Sequence, residues 1–511
     1  MLVEVDPEAA ANARIHDLHL AERNERGRVE CWTDFFLLKP VDASRGNRCI
    51  LYDVNNRGNK LALEAFNGAR SNDPTTLADA GNGFLMEKGY SILWCGWNGD
   101  VTEDGKQRLL VELPIAREHG KTITGRAHVE ISSDEKTFSQ AFYHSPWGTS
   151  QAYPAVDLDN RHATLTQRPN RSETATEVPR DQWAFARWED DTLVPDATHL
   201  YLKNGFQPGW VYDLVYTAKN PRVTGLGLAA LRDCVSFFRY AIEDSEGTPN
   251  PLAQDIDRAY VFGISQSGRL IHHFIYEGFN RDESARDVFE GALIHVAGAG
   301  KGNFNYRFRM TTRYGTQHEN QLAGSEFFPL APSTEVDAVT GRQGSSLDHA
   351  RRNGGQVPKM MFVQTSTEYW NRAASLLHTD TAGRRDLTVP EEVRIYLVAG
   401  ANHLGKLEHT RGICQQPRNT LDDRPPILRA LLVALDRWVD GGIEPPPSRY
   451  PRIDDGTLVD LPTFQKQFPK IPGVNLPERF FQPHRLDFGP RFRSAGIADT
   501  IPPKIGKPFR T

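Results

Sequence analysis

The chain has 511 residues, long enough for one large domain or two ordinary ones. Apolar residues make up 39% and charged residues 24%, and 42 glycines with 33 prolines is near ordinary usage, which excludes a fibrous, low-complexity or mostly disordered chain. A net charge of −5 gives no field that gathers nucleic acid, and no apolar stretch approaches the ~18–20 residues that span a bilayer.

The chain begins MLVEVDPEAAANARIHDLHL, with no basic run and no apolar core of a secretory leader. As written it is expected in the cytoplasm; a leader already removed would instead make it periplasmic or secreted. CILYDV (49–54) reads as a short apolar strand ending in the polar turn NNRGNK. GNGFLMEKGY (81–90) reads as a short helix with a glycine stop, and SILWCGW (91–97) as a second buried strand. Five cysteines (31, 49, 95, 234 and 414) are widely spaced, with no C-x-x-C, so buried reduced thiols are expected rather than a disulfide framework or a zinc site.

The next hundred residues change character. LLVELPIA (109–116) and TITGRAHVEIS (122–132) favour strands, the second with Ile123, Ala127, Val129 and Ile131 on one parity. Helical spacing is absent until past residue 220, so 101–200 reads as an antiparallel β insertion. Leu228, Leu231, Val235, Phe238 and Ile242 then recur at helical intervals and predict one buried face. RAYVFGI (258–264) predicts a strand, SGRLIHHFIYEGFN (267–280) a helix, and GALIHVAG (291–298) another strand. Residues 300–357 are polar and aromatic without period and read as a lid-like segment. MMFVQTS (360–366) and RIYLVAG (394–400) predict strands. PPILRALLVALDRWVDGG (425–442) predicts a helix with proline near its start and glycine past its end. From 446 to 511 the chain is rich in proline and reads as an irregular tail lying on a body of residues 1–445. Strands alternating with helices predict a mostly parallel central sheet flanked by helices.

The sharpest motif is Gly263-Ile264-Ser265-Gln266-Ser267-Gly268, between a predicted strand and a predicted helix. A nucleophilic serine can sit on such a turn in strained backbone, with small residues two before and two after it. Gly263 and Ser267 fill those places around Ser265, although the usual motif ends in glycine. Taking Ser267 as the nucleophile would put bulky Arg269 at the second small position. The plainer alternative is an ordinary serine helix cap. An acid and a histidine are expected just past later strands, in that order. Strand MMFVQTS runs into Thr367-Glu368, and strand RIYLVAG into Ala401-Asn402-His403. His378, His409 and Asp380 are rivals that do not directly follow a strand.

The roles follow from the chemistry. Ser265 attacks a carbonyl carbon, His403 moves its proton, and Glu368 orients and stabilises the imidazolium. The backbone N–H of Gln266 is the expected oxyanion donor, with Asn56 or Arg57 of the first loop as the second. Trp97, Tyr369 and Trp370 are expected to line the substrate site at the carboxyl ends of the strands. Phe304 to Arg309 mixes aromatic and cationic groups, which fits either a carboxylate-bearing substrate or lid packing. No metal or cofactor motif is present: there is no H-E-x-x-H, no P-loop, and no third glycine in GLGLAALRD (225–233).

With these motifs in view, the chain resembles a bacterial branch of the α/β-hydrolase superfamily, proteins known as α/β hydrolase domain proteins. The resemblance spans roughly 5–455 and rests on VNNRGNK, GYSILWCGWNGD, GFQPGWVYDLVY, GLGLAALRD, GISQSGR, STEYW, GANHLG and RALLVALDRWVDGG. It implies an α/β-hydrolase fold, with Ser265, Glu368 and His403 at the family's triad positions. The Ser-Gln pair also resembles serine esterases with an S-Q-G-G elbow. Hydrolysis of a small-molecule carboxylic ester is the simplest expectation. An amidase or peptidase on the same fold, or a non-catalytic binding protein, are the alternatives. A haloalkane dehalogenase would need a carboxylate at the elbow.

Overall fold

The computed structural model describes all residues except 104–106, 143–149, 160, 171–172, 312–321, 323 and 404–423. Cys414 and His409, Leu404 and Gly405 of the GANHLG motif, and parts of the 101–200 and 300–357 segments lie outside the described residues.

After a small antiparallel pair, Leu2–Val5 with Val29–Thr33, come three strands of the central sheet: β1 (Phe35–Leu38), β2 (Cys49–Asp53) and β3 (Ser91–Cys95). Between the last two lies helix α1 (Ala62–Asn67), whose start is held by the Asp53 carboxylate, which accepts from the amides of Leu61 and Ala62. A run of antiparallel strands follows: β4 (Thr124–Ser132), β5 (Thr137–Ala141), β6 (Thr164–Arg168), β7 (Trp183–Glu189), β8 (Thr192–Phe206) and β9 (Val211–Lys219). They form two sheets, β5-β8-β7 and, with the short strand Thr176–Glu177, a four-stranded sheet in which β6-β9-β4 are neighbours. Ile123, Ala127, Val129 and Ile131 are all buried, as their shared parity predicts.

The α/β rhythm then returns with α2 (Leu226–Tyr240), β10 (Arg258–Ile264), α3 (Gln266–Glu277), β11 (Gly291–His295), α4 (Ser346–Arg352), β12 (Lys359–Thr365), α5 (Ser366–Asn371), β13 (Val393–Val398) and α6 (Arg424–Gly441). The central sheet has the order β13-β12-β11-β10-β2-β3-β1. Every pairing in it is parallel except that of the edge strand β1 with β3.

Helices cover both faces of this sheet, so its strands are apolar throughout rather than alternating. Ile50, Tyr52, Val261, Ile294 and Phe362 face the core that includes α2 and α3. Leu51, Tyr260, Phe262, Leu293 and Met361 face the one that includes α1 and α6. Gly227, at the start of α2, answers a close approach: a Cβ there would lie 2.0 Å from the carbonyl oxygen of Trp97. That packing explains the glycine-rich start of GLGLAALRD. The four described cysteines are buried and unbridged.

Two sequence expectations need correction. Leu228, Leu231, Val235 and Phe238 are buried, but Ile242 is 56% exposed. The helix stops at Tyr240, and the extended backbone of Ala241 turns Ile242 off that face. The proline-rich tail is not simply irregular. It holds α7 (Leu461–Gln467), α8 (Arg491–Ala495) and a hairpin of β14 (His484–Asp487) with β15 (Lys504–Pro508). Asp460 caps α7 by accepting from the Thr463 amide at 2.9 Å, and Pro462 sits in the first turn, where a missing N–H costs nothing.

Candidate active site

The turn from β10 into α3 carries Ser265 with φ 60° and ψ −112°, a left-handed conformation that a non-glycine residue occupies only under constraint. Two contacts impose it. The Ser265 amide donates to the His295 carbonyl at the end of β11, at 2.9 Å. The Ser267 hydroxyl accepts from the Ile264 amide at 2.8 Å and donates back to the Ile264 carbonyl at 3.0 Å. Gly263 is required by the tightness of this turn, because a Cβ there would lie 2.7 Å from the Ser267 carbonyl carbon. Ser267 is fully buried, whereas Ser265 remains 8% exposed. The two serines therefore differ in what their hydroxyls are free to do.

Glu368 lies in the first turn of α5, directly past β12. Its Oε2 accepts from the Thr365 amide at 2.9 Å and from the Thr365 hydroxyl, closing a capping box. Its Oε1 lies 2.6 Å from His403 Nδ1, and His403 Nε2 lies 2.8 Å from Ser265 Oγ. The His403 amide donates to the Thr367 hydroxyl at 3.1 Å, which fixes the loop that follows β13. Full burial works to lift the Glu368 carboxyl. The hydrogen bond and charge of His403, with the bonds from Thr365, outweigh it and hold the group below its usual range. An ionised carboxylate only accepts, so Nδ1 carries the proton and Nε2 is left as the acceptor for the serine hydroxyl. The three residues picked from the sequence thus stand in one hydrogen-bonded line.

Gln266, the residue after Ser265, opens α3, so its backbone N–H has no partner within the helix. Asn56 is committed elsewhere. Its amide donates to the Asn59 carbonyl at 2.8 Å and its side chain to the Ile264 carbonyl at 2.9 Å. Arg57, in the same loop, is buried with φ 53°.

The three aromatic residues expected at the substrate site are spent on other contacts. Trp97 is 2% exposed, donates its indole N–H to the Asn55 carbonyl and packs edge-on against Phe304. The Tyr369 hydroxyl lies 3.0 Å from His378 Nε2, which removes that rival histidine as well. Trp370 packs against Phe464 of α7, and its carbonyl accepts from the Phe481 amide, so it docks the tail. Asp380, the rival acid, holds the backbone of Arg384. Of the segment 304–309, Phe304 is buried and Arg307 is paired with Asp17 through two bonds of 2.7 and 2.5 Å, which fits packing rather than substrate capture.

One group escaped the sequence reading. The Gln266 side chain donates to the Thr311 carbonyl at 2.7 Å. Thr311 is held by Asp100 Oδ2, through its amide at 2.5 Å and its hydroxyl at 2.8 Å. Asp100 is fully buried and its other oxygen accepts from Arg222 at 2.7 Å. These residues are up to 211 positions apart, so spacing carries no trace of them. Among the described residues no cluster of three His, Cys, Asp or Glu side chains is placed to share a metal ion. None of their helices is long and apolar enough to cross a membrane.

Comparison with known proteins gives the frame for this geometry. No curated protein matches the chain. Among solved structures, the chain is similar to "Ferulic Acid bound to Est1E from Butyrivibrio proteoclasticus" at 10% identity, over 73% of this chain and 87% of that one, with a TM-score of 0.24. A likeness that low carries no argument here. The model of the family described as "Alpha/beta hydrolase domain" matches residues 106–467, which take in Ser265, Glu368 and His403. The chain belongs to the α/β hydrolase domain family.

Proposed function

We propose that the protein is a serine hydrolase that cleaves a small-molecule carboxylic ester through an acyl-enzyme. The observation that carries this reading is the line Ser265 Oγ···His403 Nε2 at 2.8 Å and His403 Nδ1···Glu368 Oε1 at 2.6 Å, set on a strained strand-to-helix turn. In the proposed reaction Ser265 Oγ bonds to the carbonyl carbon while its proton passes to His403 Nε2. Glu368 stabilises the imidazolium, and the Gln266 N–H, with a second donor from the Arg57 loop, faces the tetrahedral oxygen. The carbon–oxygen bond to the alcohol then breaks, and the alcohol leaves with the proton from His403. Water repeats the sequence on the acyl-serine and releases the acid.

Residues 1–445 form the catalytic domain in this reading, with 101–200 as an insertion, 300–357 as a lid and 446–511 as a tail on the body. Support for the lid comes from Thr311, whose carbonyl holds the side chain next to the nucleophile. A fluorophosphonate should label Ser265, and p-nitrophenyl esters should be turned over faster than the matching anilides. Faster anilide cleavage would make the protein an amidase, and absence of labelling would leave a binding protein on the same scaffold.

A further inference from the structure

A partly open pocket of about 120 Å³ lies at the other end of α3 from Ser265. Tyr276 lines it, ten residues along the helix from Gln266, or about 15 Å at 1.5 Å per residue. Four guanidinium groups line it, from Arg14, Arg342, Arg352 and Arg493, against a single carboxylate, Glu277. That carboxylate is already answered by Arg14 at 2.8 Å. Among the described residues, the other three guanidinium groups have no ion pair. Arg493 lies over the Phe327 ring at 3.7 Å and Arg342 over Phe328 at 5.9 Å, so ring faces hold two of them while their N–H edges stay unspent.

The remaining walls add donors. Tyr276 and Tyr306 are 6% and 3% exposed, and neither hydroxyl is hydrogen-bonded to a described residue. His349 stacks on Tyr276 at 3.9 Å, and its Nε2 is buried without a partner. Burial, with Arg14, Lys301, Arg352 and Arg493, pushes His349 down to about 3, the direction a positive enclosure gives. A buried polar group without a partner costs about 1–3 kcal/mol. His349 Nε2 is such a group, and around it the guanidinium edges and phenol hydroxyls, which are donors, come from separate stretches of chain onto one space.

We propose that this cavity binds a small doubly charged oxyanion, a phosphate or a short dicarboxylate. The guanidinium forks supply paired N–H donors to its oxygens, and the phenol hydroxyls complete the shell. The bound anion joins the N-terminal segment, α3, α4 and the tail helix α8, so it ties the tail to the body without touching Ser265.

Calorimetric titration of the full chain with inorganic phosphate, and separately with succinate, in chloride buffer of matched ionic strength, tests this. One saturable site per chain is expected for at least one of the two, and which arm responds assigns the ligand class. Arg342→Gln and Arg493→Gln should each weaken binding about tenfold or more, the loss expected for a charged hydrogen bond. Arg351→Gln, whose guanidinium pairs with Glu392 instead, should leave it unchanged. If Arg493→Gln fails to fold, Arg342 and Arg352 are exposed and their variants carry the test. Absence of saturable heat for both anions, or binding that survives Arg342→Gln and Arg352→Gln together, overturns the proposal.

Discussion

The hydroxyl of Ser267 is bonded twice to Ile264, accepting from its amide and donating to its carbonyl. It closes the turn that presents Ser265, and in doing so takes itself out of the chemistry. Ser265→Ala should therefore abolish fluorophosphonate labelling. Ser267→Ala should keep labelling and lose about 1 kcal/mol of stability in urea denaturation, the worth of a buried hydrogen bond. The reverse pattern in mass-spectrometric mapping would move the nucleophile to Ser267.

His403→Gln should lower kcat by about three to six orders of magnitude while near-ultraviolet circular dichroism stays unchanged. Normal turnover would exclude His403 as the base.

Glu368→Gln keeps the shape but replaces an acceptor by an amide that can donate to Nδ1 and so favour the wrong tautomer. A loss of kcat of about 10⁴ is expected. A pH signature accompanies it. The folded carboxyl is held below its ordinary value of 4.5, so its stabilisation is complete above that pH and is lost as pH falls through the lowered value. The stability gap between wild type and Glu368→Gln should be flat from about pH 5 to 7 and shrink on acidification. A gap that widens towards acid in urea titrations would contradict the lowered state of the carboxyl.

Gly263→Ala forces a methyl against backbone at 2.7 and 2.8 Å, where no flexible side chain can yield. A loss of about 1–3 kcal/mol is expected, with a larger fall in kcat than Ser267→Ala shows because the elbow itself must shift. Thermal melts and steady-state kinetics on one ester would check both.

Trp370→Ala should leave KM for a short ester unchanged and make residues 446–511 more sensitive to limited proteolysis. The indole packs on Phe464 at 5.0 Å and on Phe480 at 6.5 Å, both of the tail. A rise in KM with unchanged proteolysis would return Trp370 to the substrate site.

Local pattern carried most of what the sequence revealed. β10 was readable over its full length because both faces of a central strand are buried, and Ser265, Glu368 and His403 were picked out because each lies within five residues of the end of an apolar strand. The destinations of Trp97, Tyr369 and Trp370 were not readable. An aromatic residue at a strand end can turn to the pocket or to a neighbouring layer, and Trp370 meets a tail helix about a hundred positions away. The Asp100–Thr311–Gln266 chain was hidden for the same reason, since only the folded topology brings its members together. The tail misled because proline density signals irregularity, yet Pro462 sits at the one helical place that tolerates it.

Strands β10, β11 and β12 lie side by side, and β13 follows next. The serine, acid and histidine are therefore separated by lattice steps of about 4.8 Å that the sheet enforces. The stretch between β11 and β12 adds no strand to that ruler, although Thr311 within it holds the Gln266 side chain. On the proposed reading, selection can remodel what reaches the serine through that stretch while the strand spacing stays fixed.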